Sequence, residues 1–176
     1  MPNWAAGNIR VRGKRENIIR YIQENLIAIY ELQDNKWEER PVHLSVDAGG
    51  YELVITRDED TWRSVWFKNS KRMFIDFDDY STKNSYTICG ELSDDEKHTK
   101  EDQVLFLSGF KGAWGIDDEC FRKAAVDYKV DIRIFVWERG MEWSSIATYY
   151  RDGHVEENSQ TYSDWMWESA LPDYGG

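Results

Sequence analysis

Period-two alternation of polar and apolar side chains occurs near both ends of this chain, each time beside an amphipathic helical pattern. No other feature limits its possible folds so strongly. Asn8-Ile9-Arg10-Val11-Arg12 alternates and stops at Gly13, which predicts a strand with one buried face. In residues 14–30, Ile18, Ile22, Leu26 and Ile29 fall at helical spacing, and Ile19 and Ile27 widen the stripe, predicting a helix. Toward the other end, Asp117, Asp118 and Glu119 precede Phe121, Ala124, Ala125 and Tyr128. The acidic triplet favours a helix N-terminus and the apolar set one helix face, so a second helix is predicted over 117–128. Residues 131–138 then alternate, with Ile132, Ile134 and Val136 on one side.

Between these ends the signals are short strands and turns. A charged linker, 33–40, leads to Pro41, and strands are predicted at 42–46 and 51–56 around Asp47-Ala48-Gly49-Gly50, where glycine tolerates a positive φ. Strands at 63–68 and 72–77 carry Trp66, Phe67, Phe74, Ile75 and Phe77 as core candidates, with Asn69-Ser70 as their turn. Further strands are predicted at 86–89 and 104–107, separated by a polar loop over 91–102. Asp152-Gly153 predicts a hairpin between 144–151 and 154–160. The tail, 163–170, has the makings of a short helix carrying Trp165, Met166 and Trp167. This order predicts a single α+β domain over 1–176, with a ferredoxin-like core of two helices on one face of a mainly antiparallel sheet. The halves of that core fall at about 1–32 and 108–160, and a β-rich acidic insertion occupies about 33–107.

Charge separates this chain from the disordered acidic class. The net charge is −11, yet aromatic residues make up 15%, with nine Trp and ten Tyr; such a chain can bury a core beneath an acidic skin. Residues 1–30 carry a net +3, from Arg10, Arg12, Lys14, Arg15 and Arg20 against Glu16 and Glu24, leaving −14 for the rest. Carboxylates cluster at Asp58-Glu59-Asp60, Asp76 with Asp78-Asp79, Asp94-Asp95-Glu96, Glu101-Asp102, Asp117-Asp118-Glu119 and Glu156-Glu157. Such a surface repels nucleic acid and membranes and attracts basic partners, or serves solubility alone. No stretch nears the roughly 18 apolar residues of a membrane span, and no apolar leader follows Met1-Pro2-Asn3-Trp4, so a cytoplasmic protein is expected.

Catalytic motifs are sparse. Cys89 and Cys120 sit in apolar contexts that predict buried thiols rather than a disulfide framework. His43, His98 and His154 have no ligand at zinc spacing, and Gly109, Gly112 and Gly115 fit no phosphate-binding loop. No cofactor, metal or catalytic residue is therefore called for. One enzymatic pattern stands out: Asp76 and Asp78 would share a strand face about 6.6 Å apart. Carboxylates so placed can bind Mg²⁺ for phosphodiester hydrolysis, with Lys83 and Glu91 as possible additions. The same repeat also matches a row of phosphates, so a basic groove would accept it through Arg and Lys pairing. Trp62, Trp66 and Tyr80 are candidate anchors among the acids. Trp4 and Trp114 are expected to be buried and to seal the sheet end.

Met1-Pro2-Asn3-Trp4, the strand ending in Gly13, Ala113-Trp114-Gly115, Trp137-Glu138-Arg139-Gly140 and Tyr149-Tyr150-Arg151-Asp152-Gly153 together resemble the YubB-like ferredoxin-like family of phage and plasmid proteins. The resemblance covers the two ends and leaves the middle unmatched; Ala5 stands where many such proteins have Cys. It implies a mobile-element setting, in which a small acidic protein has a plausible target in host defence nucleases, such as RNA-guided effectors with positively charged channels. The expected function is thus an anti-CRISPR-like inhibitor bound to a host nuclease or other basic nucleic-acid-binding protein. Its contact residues would be Asp58, Glu59, Asp60, Asp76, Asp78, Asp79, Asp94, Asp95 and Glu96, with DNA reached through Arg10, Arg12, Lys14 and Arg15. The alternatives are a metal-dependent nuclease on Asp76 and Asp78, or an accessory phage protein whose acidity only solubilises it.

Overall fold

The computed structural model describes residues 3–32, 36–47, 52–56, 61–70, 72–76, 83–90, 102–164 and 168. The alternating segment near the start forms β1 (Trp4–Gly13), whose odd-numbered residues from Ala5 to Gly13 are buried. The helix that follows, α1 (Arg15–Asn25), is shorter than the 14–30 its apolar spacing predicts. Asn25 Nδ2 donates to the Tyr21 carbonyl at 3.0 Å, satisfying a C-terminal acceptor, and Leu26 turns extended at φ −96 and ψ 132. Leu26-Ile27-Ala28-Ile29-Tyr30 then enters strand β2 (Leu26–Leu32), paired on both edges. Isoleucines suit helix and strand faces alike, and the two ladders decide between them.

Six strands follow: β3 (Lys36–Pro41), β4 (His43–Val46), β5 (Glu52–Thr56), β6 (Thr61–Phe67), β7 (Met73–Asp76) and β8 (Lys83–Gly90). Next come β9 (Gln103–Ala113), α2 (Asp118–Tyr128), β10 (Asp131–Glu138), β11 (Trp143–Tyr149) and β12 (Val155–Thr161). The β11–β12 hairpin turns at Asp152-Gly153, as its turn chemistry predicts, with Gly153 at φ +90.

Pairing is antiparallel throughout the described residues, in the order β12-β11-β10-β1-β9-β7-β6-β2-β3. The sheet forks at β9. One edge of β9 follows β1 along its length, while its other edge is divided: β8 takes Gln103 to Leu105 and β7 takes Phe110 to Gly112. From β8 a side branch continues to β5 and β4. A bulge accompanies the fork. Gly7 opposes Phe110 and Asn8 opposes Ser108, leaving Gly109 as the extra residue at φ +79. A Cβ there would lie 2.7 Å from the Asp76 carbonyl oxygen, so this position needs glycine.

These pairings overturn the ferredoxin-like reading. The described chain holds twelve strands and two helices and forms a β-rich sandwich. β2, which would neighbour the strand before the second helix, is held away from β9 by β7 and β6. Residues 33–107 supply β3 to β8, all joined to the one sheet. Short strands announce themselves by period and turns, but period does not say which edge each one joins. Among the core residues, Ile9, Val11, Leu107, Ile132 and Ile134 from the sheet meet Ile18, Tyr21 and Ile22 of α1 and Phe121, Ala124 and Ala125 of α2. Phe121 centres an aromatic cluster, with ring centroids 5.4 Å from Phe67, 6.3 Å from Phe110 and 5.8 Å from Tyr149.

Candidate interaction site

Of the nine acidic residues expected from sequence to contact a partner, the described residues include Asp76 alone. Asp58, Glu59, Asp60, Asp78, Asp79, Asp94, Asp95 and Glu96 lie outside the described residues. Asp76 ends β7, exposed, opposite Ser64 of β6. Among the described residues no three His, Cys, Asp or Glu side chains are grouped to hold a metal ion. Of the basic set, Arg10 lies over the Phe106 ring at 5.8 Å, Arg12 pairs with Asp131, and Arg15 Nε donates to Gln103 at 2.9 Å. His154 stacks on Tyr150 and stands 3.5 Å from Glu156. Trp4 is half-buried and meets Phe74 edge-on at 5.2 Å.

One carboxylate group is structural. Arg151 sends Nε to Asp131 Oδ1 at 3.0 Å, Nη1 to Asp102 Oδ1 at 3.2 Å, and Nη2 to Asp102 Oδ2 and Asp131 Oδ2, each at 2.9 Å. Arg12 Nε reaches Asp131 Oδ2 at 3.1 Å. The Asp102 and Asp131 side chains are 1% and 6% exposed. Burial by itself would raise the Asp131 carboxyl, but hydrogen bonds and charge from Arg151, with Arg12 behind them, hold it below its ordinary value. Two guanidinium groups thus answer two carboxylates and tie β1, β10, the start of β9 and the β11–β12 turn together.

A second pair of carboxylates stands in the opposite condition. Trp114, at φ 57, and Gly115, at φ 118, turn the chain out of β9 toward α2. Trp114, expected to be buried, is 64% exposed, with the Arg72 guanidinium 5.2 Å from its ring. The correction follows from the turn, whose left-handed geometry carries the indole away from the core. Trp114, Ile116 and Asp118 line one side of a cleft of about 250 Å³, and Trp143, Ser145, Glu157 and Ser159 line the other. The hairpin register fixes that second wall, because Ser145 opposes Ser159 and Ala147 opposes Glu157. Asp118 accepts the Tyr149 hydroxyl, and Glu157 Oε1 accepts Ser159 Oγ at 3.1 Å and Ser145 Oγ at 3.4 Å. Burial raises the Tyr149 hydroxyl far above its ordinary range, and the bond to Asp118 adds to this, so it remains a donor. Neither carboxylate has a cationic partner among the described residues. Nearby, burial first and Asp117 second push the Cys120 thiol up to about 12, so it is neutral at physiological pH and a poor nucleophile.

Two indoles beside two carboxylates suit a cation carrying an apolar or planar body, such as a guanidinium or alkylammonium group. A larger hollow of about 420 Å³ lies among Glu24, Glu39, Arg40, Lys68 and Tyr128; its charges are of both signs, and Glu24 takes the Tyr128 hydroxyl. In the sequence, Asp117-Asp118-Glu119 and Glu156-Glu157 stand as separate charge clusters. The available signal was Trp143-x-Ser145 and Glu157-x-Ser159 on either side of Asp152-Gly153. A tight turn there aligns these two same-face pairs. No protein-family model, no curated protein and no solved structure matches the chain.

Proposed function

We propose that the protein is a non-catalytic binding protein of a phage or plasmid that inhibits a host defence nuclease by occupying its basic nucleic-acid groove. The observation carrying this reading is the cleft in which Asp118 and Glu157, answered only by hydroxyl donors among the described residues, stand beside Trp114 and Trp143. An Arg or Lys side chain lining a nucleic-acid groove would find ion pairs and an aromatic face there, and would exchange weak hydroxyl bonds for charge-assisted ones. The net charge of −11 would steer such a partner from a distance, and Asp58, Glu59, Asp60, Asp76, Asp78, Asp79, Asp94, Asp95 and Glu96 would extend the contact. The resemblance to the YubB-like group supplies the genetic setting.

The test is competition on purified host nucleases that hold nucleic acid in basic channels, RNA-guided effectors first. The protein should displace DNA or guide RNA from one of them, and should lose affinity steeply with added salt. Asp118→Asn with Glu157→Gln should weaken that displacement without unfolding the protein. Failure to displace nucleic acid from any such nuclease would remove the proposal. Mg²⁺-dependent cleavage by the protein itself, lost in Asp76→Asn with Asp78→Asn, would replace it with a metal-nuclease function.

A further inference from the structure

The sheet face turned away from the buried residues of β1 carries a second, chemically opposite site. Its centre is a like-charge pair. Arg10 of β1 and Arg133 of β10 are register partners, both exposed, and neither has an ion pair among the described residues. Like charges directly opposite on neighbouring strands destabilise a sheet. Among the described residues, the carboxylates that register places nearest on this face are engaged elsewhere: Asp131 is committed to Arg12 and Arg151, and Glu156, two strands away across Thr148, takes the Tyr150 hydroxyl and stands beside His154.

Aromatic rings flank the pair on both sides. Across β1 from Arg133, Phe106 of β9 opposes Arg10, lies 44% exposed, and has the Arg10 guanidinium 5.8 Å from its ring centre. Two residues along β10, Phe135 opposes Asn8 and packs on Trp137 with ring centroids 5.2 Å apart. Lys111 of β9 opposes Ala6 in the next row and adds a third cation to the same face. Rings and cations therefore alternate at strand spacings, about 4.8 Å across and 6.7 Å along.

We infer that this face binds single-stranded nucleic acid, with Arg10 and Arg133 on successive phosphates and Phe106 and Phe135 stacking unpaired bases. Phosphate answers an arginine pair that has no ion pair among the described residues, and a base uses the exposed ring. A duplex offers the first contact and hides the second, and an acidic polypeptide lacks the planar bases. The site is separate from the acidic cleft and stands whether or not a basic protein partner exists.

Fluorescence anisotropy with labelled oligo-dT, oligo-U and a duplex of equal length tests it, with polyglutamate as competitor. The protein should bind dT or U strands more tightly than the duplex, and polyglutamate should compete poorly. Phe106→Ala should weaken binding about tenfold, and Arg10→Gln with Arg133→Gln should flatten the log–log salt slope by about 1.4. Arg133→Thr should raise the melting temperature of the unliganded protein while lowering affinity, a combination that a purely structural arginine would not give. Lys123→Ala, on the exposed side of α2, serves as a control without effect. No binding to either strand, or binding that polyglutamate abolishes and Phe106→Ala leaves unchanged, overturns the inference.

Discussion

Asp102 and Asp131 at one end of β1, and Asp118 and Glu157 beside α2, are carboxylate pairs with opposite surroundings. The first pair is almost fully buried and meets two guanidinium groups through five close bonds. The second opens on a cleft and, among the described residues, meets only hydroxyl groups. A buried charge must be neutralised where it stands, because taking one partner away leaves an ion in a low dielectric. A carboxylate at an open cleft keeps water as an alternative and can wait for a partner. The residue types coincide, and the difference in burial divides structural charge from charge available for binding.

Removing a guanidinium from the buried group should break the comparison most violently. Arg151→Met removes four of those five bonds and leaves Asp131 to Arg12, and about 3–5 kcal/mol of folding stability should be lost in urea titration. A loss below about 1 kcal/mol would mean that this network is as dispensable as a surface pair. The aromatic cluster gives a benchmark, since Phe121→Ala should also cost about 3–5 kcal/mol.

Acid sharpens the same contrast at smaller scale. Asp131 is held below its ordinary value of about 3.9, so its folded form binds a proton less readily than its unfolded form. Its stabilising contribution is present above about pH 4 and is lost as pH falls from there through the lower folded value. The urea midpoint of the native protein should therefore drop more steeply below pH 4 than that of Asp131→Asn. Equal slopes would remove Asp131 from the acid response.

The open pair should scarcely register in stability. Asp118→Asn keeps an oxygen to accept the Tyr149 hydroxyl, and Glu157→Gln keeps one for Ser159, so each should change folding by less than about 1 kcal/mol. Smallest of all should be Trp114→Ala, since the indole is mostly exposed and the change stays within about 0.5 kcal/mol for such a surface position. A loss near 3 kcal/mol would return Trp114 to the buried role its sequence context suggested.

The legible parts of this fold are those where one period runs unbroken. Residues 8–12, 117–128, 131–138 and the hairpin about Asp152-Gly153 form the elements their patterns predict. Residues 26–32 do not, because Leu26, Ile27 and Ile29 satisfy a helical stripe and a strand face equally. Their partners in β3 and β6 are contributed from elsewhere in the chain. The fold class failed for a related reason: the short strands between 42 and 107 are visible one by one, but their neighbours are not, and β3 (Lys36–Pro41) forms where a charged linker was expected over 33–40, because its pairing with β2 overrides its polar composition. Of the candidate site, the carboxylates at 118 and 157 were legible as charge. Their meeting depends on hairpin register and on the Tyr149–Asp118 bond linking β11 to α2, which are tertiary facts.

The fork at β9 also governs the order in which the chain can assemble. Ile9 pairs with Leu107, about 100 residues downstream, and closing so long a loop precedes the gain from the ladder it creates. During synthesis at roughly 5–20 residues per second, β1 emerges many seconds before β9 and longer still before β10, its other neighbour. β8 and β7 are made earlier but have no common edge to join until β9 arrives. The ladders β2–β3, β2–β6 and β6–β7 on one branch and β4–β5 and β5–β8 on the other need no part of β9, so it is the joining of the two branches to β1 that waits on one late strand.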